Sequence, residues 1–393
     1  MAVIPSRAQD VSYSGWTIDG KGFVEVLVRN GKIERIEKKD PGSPNSPKIY
    51  IAPGLIDTQV NGYTSISFSE EGLTPEKIRK VTVDLFKEGV TTYFPTIITG
   101  PADLTKKNLA ILSEALKHDD LLSLVIPGIF LEGPYISPDE GFRGVHSKQY
   151  IRPPDWDEFS TFIKASGNKI IQVGLAPETT GAIDFIRKAT ASGIMVSLAH
   201  HNADAATIQQ AINAGAKVST HLGNGCANMI NRHNNPLWPQ LASDALTASI
   251  IGDGHHLTPE ELTVFYKAKG PDHLMLVSDA TELAGMPPGE YDWNGKKVVM
   301  TEDGALLYPE DNVLAGASFP VRTGVMNMQR LAGCSLEEAM NLATVNPARV
   351  YGLKDRGVLS PGRRADLILF STEGNEMIIR QTIVSGNTVY KRD

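Results

Sequence analysis

The chain has 393 residues, 41% hydrophobic and 21% charged, with 38 Lys and Arg against 45 Asp and Glu for a formal net charge of -7. These proportions describe an ordinary globular protein, long enough for an α/β barrel of about 250 residues plus a smaller unit, and exclude a disordered or fibrous chain. Mild acidity without a Lys/Arg run argues against nucleic acid or an anionic membrane surface as partner, and no apolar run approaches the ~20 residues of a bilayer span.

The opening MAVIPSRAQD has neither the basic start nor the apolar stretch of a signal peptide, so no leader is expected. Phe23 to Val28 is apolar and β-branched, Asn30-Gly31 is a turn dipeptide, and Ile33 to Ile36 resumes an alternating pattern, which together read as a hairpin. From about residue 52 to 350, short apolar runs alternate with helical periodicity, the pattern of a parallel sheet wrapped by helices. Eight runs are counted: Ile51 to Asp57, Val90 to Thr96, Leu124 to Glu132, Lys169 to Leu175, Ile194 to His200, Lys217 to His221, Ala248 to Gly252 and His273 to Asp279.

Thr74-Pro75 and Thr258-Pro259 each place a capping hydroxyl before a proline suited to a first helical turn, with Gly89 and Gly270 at the C-terminal ends; Ser335 to Glu338 reads as a capping box. Strand patterns return at Ala365 to Phe370 and around the turn Ser385-Gly386-Asn387. The expected fold is therefore a (β/α)8 TIM-like barrel over 53–350 with a small β-sandwich domain formed by both chain ends, 1–52 and 351–393. The only cysteines, Cys226 and Cys334, fit no disulfide framework or C-x-x-C site, and a reducing cytoplasm is the expected location.

Eight of the nine histidines lie between His146 and His273. Four of the apolar runs end on a polar group: Glu132, His200, His221 and Asp279. In a barrel those positions share the C-terminal rim where chemistry gathers. One carboxylate with two imidazoles suits zinc, ferrous iron, cobalt or manganese, with room left for water.

At these residues the chain resembles the amidohydrolase superfamily and, within it, the N-acetylglucosamine-6-phosphate deacetylases. The motifs are Ala52-Pro53-Gly54-Leu55-Ile56-Asp57 with Gln59-Val60-Asn61-Gly62, Leu131-Glu132-Gly133-Pro134, Arg143-Gly144-Val145-His146, Ala199-His200-His201-Asn202-Ala203, Thr220-His221-Leu222, Asp253-Gly254-His255-His256, Val277-Ser278-Asp279-Ala280 and Leu314-Ala315-Gly316. Most amidohydrolases carry H-x-H after the first strand; here the pair is Gln59 and Asn61, a form that some deacetylases share. The resemblance then implies one divalent ion, zinc by preference, on Glu132, His200 and His221, with Gln59 and Asn61 bonding its water.

By the same resemblance, Asp279 shuttles the proton and His146 faces the developing oxyanion, while Val145, Asn224, Gly225, Arg232, His256 and Leu314 contact the substrate. His201 stands where relatives have a small residue and is assigned no ligand role. The implied partner is a small amino-sugar substrate, and the implied assembly is a homodimer. Asn346-Pro347-Ala348 is assigned a structural role.

One departure bears on the substrate. Relatives hold a sugar phosphate with an Arg in a stretch that here reads Arg232-His233-Asn234-Asn235-Pro236, and Asn234 falls at that Arg. A neutral amide does not pair with a dianion as a guanidinium does. Either Arg232, Arg143 or His233 replaces the charge, or the substrate is an unphosphorylated or different N-acyl sugar. An amidohydrolase opening a cyclic amide is disfavoured by the lack of H-x-H and of a bridging lysine. A catalytically dead scaffold is disfavoured because Glu132, both metal histidines and Asp279 are present.

Overall fold

The computed structural model describes residues 10–41, 48–293, 295–310 and 313–392. The expectation attached to the first nine residues lies outside these bounds. Eight parallel strands succeed one another in sequence order: Leu55–Val60, Val90–Ile98, Ile129–Glu132, Ile170–Leu175, Met195–Leu198, Val218–Ser219, Thr247–Ile251 and Leu274–Val277. The first meets the eighth through a parallel bridge between Val60 and Ala280, so the sheet comes round on itself as a TIM-like barrel.

The expected helix caps form. Thr74 accepts from the Lys77 amide ahead of the helix Pro75–Lys87, whose Ile78, Val81, Leu85 and Phe86 are buried. Thr258 and Ser335 both make reciprocal capping boxes.

Two of the apolar runs are not single strands. Ile51 to Asp57 divides at Gly54: Tyr50–Pro53 pairs with Leu367–Glu373 in the chain-end sheet, and Leu55 starts the barrel. A Cβ on Gly54 would lie 2.2 Å from the Thr91 side chain, so the crossover between sheets requires glycine. Leu124 to Glu132 begins inside the helix Asp120–Val125, because the Asp119 carboxylate caps the Leu121 and Leu122 amides. The strand starts only at Ile129, beyond Pro127-Gly128.

Both chain ends join one seven-stranded, mainly antiparallel sheet around a core that includes Val26, Ile33, Ile51, Leu367 and Ile383. Arg364 ties it to the barrel, pairing with Asp366 while donating to the Leu124 carbonyl at 2.9 Å. Asn346, in the helix Val345–Val350, donates at 2.6 Å to the carbonyls of Pro271 and Leu274, anchoring the start of the eighth strand.

A four-stranded antiparallel sheet, Gly289–Trp293, Lys296–Met300, Leu306–Tyr308 and Val313–Gly316, follows the eighth strand and was not among the sequence expectations. The Asn294-Gly295 dipeptide between two alternating runs is the signal that announces it.

Asn346→Ala takes the side-chain donor from the buried Leu274 carbonyl and from the more exposed Pro271 carbonyl, which costs about 1–3 kcal/mol. The urea midpoint is expected to fall accordingly while the specific activity of the folded fraction is kept; an unchanged midpoint would remove this anchor.

Candidate active site

The third, fifth, sixth and eighth strands end within one residue or two of Glu132, His200, His221 and Asp279. Three of these do not continue as extended chain: His200, His221 and Asp279 have φ of 48°, 33° and 52°. For residues with a Cβ this left-handed conformation costs of order 1–3 kcal/mol each and needs surroundings that enforce it. The His200 carbonyl accepts the Ser137 amide at 2.9 Å. The His221 amide donates to Ser249 Oγ at 2.8 Å, and the Asp279 amide to the Gln59 carbonyl at 3.0 Å.

The turns bring Glu132, His200 and His221 together, their ligand atoms all within 4.8 Å of one another and all three residues buried. Glu132 Oε1 lies 2.8 Å from His221 Nε2 and 3.5 Å from His200 Nε2, and accepts from Gln59 Nε2 at 3.0 Å. His200 Nδ1 lies 2.9 Å from the Phe142 carbonyl, which calls for a proton on Nδ1 and leaves Nε2 as the free lone pair. Burial opposes charge on Glu132, but its bonds to both histidines hold its carboxyl well below the usual range. The same Glu132 bond outweighs burial at His221, pushing that imidazole up to about 9 without a cation between them. One anionic oxygen and two imidazole nitrogens so placed form a donor set that fits a divalent transition ion.

Asp279 accepts from Asn61 Nδ2 at 2.7 Å, and burial together with the Glu132 charge pushes its carboxyl up to about 6. That is the range of a group that both takes and returns a proton near neutrality. His146 Nε2 lies 3.2 Å from His200 Nε2, and its Nδ1 lies 2.8 Å from Thr99 Oγ1. Burial, then the His200 charge, pulls His146 down to about 3, so it works as a neutral ring. With the Thr99 hydroxyl donating to Nδ1, Nε2 carries the hydrogen and His146 becomes an N–H donor. Thr99 is a partner that sequence reading missed, since nothing local marks it.

These side chains open on one cavity of about 180 Å³, room for a small molecule. Asn61, Val145, His146, Asn224 and Gly225 line it beside the three donors and Asp279. His256 does so as well, its Nδ1 held 2.7 Å from Asp253 Oδ2, and so does Leu314 from the late sheet. That sheet also contributes Trp293, whose indole N–H donates to Glu282 on the same wall. Gln59 stands behind Glu132 rather than in the lining.

Arg232 is the exception among the expected contacts: it is exposed, outside the lining, and its carbonyl caps the Trp238 indole at 2.8 Å. Asn234 is exposed on the same turn. Arg143 is spent on the His146 carbonyl at 3.1 Å, and no Lys or Arg is among the described residues lining the cavity. Gly144 and Gly225 line the cavity and also pack against a donor. A Cβ on them would fall 3.0 Å and 2.6 Å from the His200 ring, so both let the loops close over that ligand. His201 is buried, pulled down to about 4 by that burial, and accepts from the Ala203 amide.

Comparison with known proteins places this arrangement. The amidohydrolase family model matches residues 50–389. N-acetylglucosamine-6-phosphate deacetylase of Vibrio furnissii is 31% identical over 98% of this chain and 94% of its own length; that of Bacillus subtilis is 30% identical over 93% and 92%. The crystal structure of an N-acetylglucosamine-6-phosphate deacetylase from Thermotoga maritima superposes with a TM-score of 0.84 at 26% identity, covering 97% of this chain and all of that one.

One such donor cluster among the described residues predicts about one divalent ion per chain by elemental analysis. His221→Ala is expected to lose that ion and Asp279→Asn to keep it; a stable stoichiometry of two would contradict a single site.

Proposed function

The chain belongs to the amidohydrolase family, and on that premise we propose that it hydrolyses the acetamide of N-acetylglucosamine 6-phosphate to glucosamine 6-phosphate and acetate. The observation that carries this is the Glu132, His200, His221 cluster facing Asp279 in one cavity, on a chain whose curated relatives of that activity match it nearly end to end. Water adds to the acetamide carbon, the C–N bond breaks, and the amine leaves with the proton taken from water.

In this reading Glu132, His200 and His221 would hold one divalent ion, zinc by preference, which would supply the Lewis acidity that lowers the pKa of water towards neutrality. Asp279, oriented by Asn61, accepts the proton of the attacking water and returns it to the departing nitrogen. His146 donates its Nε2 hydrogen to the oxygen that develops charge, in a tautomer set by Thr99. Gln59 restrains the Glu132 carboxylate. His256, Asn224 and Gly225 bind the sugar, with Val145 and Leu314 as apolar walls.

We further propose a homodimeric, cytoplasmic enzyme. The 90% exposed Met229 and 52% exposed Trp238, on the segment that carries Asn224 and Gly225, support a subunit contact near the cavity. Among the described residues no helix is long and apolar enough to cross a membrane.

A second reading, an unphosphorylated or different N-acyl sugar, is favoured by one observation: among the described residues lining the cavity there is no guanidinium or ammonium to meet a dianion. Acetate release from N-acetylglucosamine, N-acetylgalactosamine and their 6-phosphates decides between them. The 6-phosphates are expected to be preferred by about tenfold or more, the value of one charge-assisted contact. Indifference to phosphate overturns the phosphorylated substrate, and no acetate from any of the four overturns the deacetylase.

Asp279→Asn is expected to lower kcat by about 10²- to 10⁴-fold with metal content and unfolding midpoint unchanged. Retained turnover would remove Asp279 as the proton carrier.

A further inference from the structure

The first and eighth strands meet differently from the other neighbours. Between them there is one isolated bridge, Val60 to Ala280, in place of a ladder, with the Asn61 and Gly62 amides donating to the Ala280 carbonyl at 2.9 and 3.1 Å. Deeper in the same seam lies Asp57. It is 1% exposed; its Oδ1 accepts the Ser278 amide at 3.0 Å and the Gln59 amide at 3.4 Å. Its Oδ2 has no partner among the described residues.

A carboxyl buried this deeply carries a desolvation cost, which the Ser278 hydroxyl and those two amides offset only in part. Burial, against the Ser278 and Gln59 bonds, pushes it up to about 7. Asp57 is outside both the cavity lining and the donor cluster, so it touches neither substrate nor metal. What it holds is the pair of peptides flanking the proposed proton carrier. Ser278 immediately precedes Asp279, and the Gln59 carbonyl accepts the Asp279 amide at 3.0 Å and Ser278 Oγ at 3.3 Å.

Resting on the deacetylase reading, we propose that Asp57 is a positioning residue for Asp279, its single accepting oxygen clamping Ser278 and Gln59 so that Asp279 leaves the strand at φ 52° with its carboxylate on Asn61. Without the clamp the Ser278 to Asp279 peptide keeps its bonds to Gln59 and Asn61, but the amides of Ser278 and Gln59 lose the shared oxygen that fixes one against the other, and extended backbone is the cheaper state. The carboxylate then drifts from the attacking water while the three metal donors, borne by other strands, stay in place. A misplacement of about 1 Å at a reacting group costs up to about 10²-fold in rate.

The test uses the full chain in its metal-loaded form. Asp57→Ala is expected to lower kcat for acetate release by about 10- to 10²-fold, with KM within about twofold and metal per chain unchanged. Asp57→Asn keeps an oxygen acceptor of the same reach and is expected to restore kcat to within a few-fold. In an Asp279→Asn background, Asp57→Ala is expected to add no further loss, because it acts through Asp279 alone. Should Asp57→Ala fail to fold, Asp57→Glu, which displaces the oxygen by one methylene, carries the same cycle.

Full kcat in the Ala or Glu variant overturns the proposal, as does failure of Asn to restore activity, loss of metal alongside rate, or additive losses in the double variant. Normal acetate release by the unaltered chain together with any of these sinks the positioning role alone. No acetate release by the unaltered chain overturns the underlying deacetylase reading and this inference with it.

Discussion

Glu132 is a carboxylate with 2% exposure, and a charge that deep in a barrel is tolerated only where it is paired on every side. Gln59 Nε2 and two imidazoles supply that pairing, from the first, fifth and sixth strands. The rest of the site follows from this requirement. The two histidines have to turn inward to reach one oxygen, the loops over His200 have to be glycine where they fit against its ring, and Asp279 then sits in the field of an existing anion. That field is part of why its carboxyl is pushed up into the range useful for proton transfer near neutrality. A divalent ion placed among the same three groups would answer the same electrostatic need more completely, which is why a donor set of this kind and a catalytic ion belong together.

The turning inward has a backbone cost that the barrel absorbs. Three rim residues occupy the left-handed region, and each is held by a hydrogen bond from a neighbouring segment rather than from its own strand. Strain of this sort is distributed over several strand ends and opposed by a continuous apolar core that runs from barrel to helices. The chain-end sheet adds to that stiffness, since Arg364 fastens it to the helix before the third strand, while Asn346 fastens the helix Val345–Val350 to the start of the eighth strand.

Division of labour between strands and loops accounts for where this chain keeps to its family pattern and where it departs. The proposed metal donors and proton carrier come from strand ends, whose positions the barrel fixes. The surroundings of a ligand come from the segments around 143–146, 222–238 and 253–256 and from the late sheet, which vary without disturbing the barrel. Asn234 lies on one of these segments and is exposed. The question of a phosphate on the substrate therefore belongs to the loops, and the hydrolytic chemistry to the strands.

Much of this was legible in the residue order. Apolar runs that end on Glu132, His200, His221 and Asp279 announce both the barrel and its reactive rim, because a strand buried on both faces carries its ionisable groups mostly where it ends. Capping hydroxyls at Thr74, Thr258 and Ser335 mark helix starts for an equally local reason. What the order of residues could not convey depends on contacts between distant segments: Thr99 behind His146, Ser249 under His221, Asp57 under Ser278, and the removal of Arg232 from the cavity wall. Local pattern determined which elements form and which chemical groups they carry, since periodicity and capping are written in neighbouring residues. Tertiary structure alone decided which of those groups meet, in which tautomer and at what pKa, since burial and through-space bonds are properties of the packed chain.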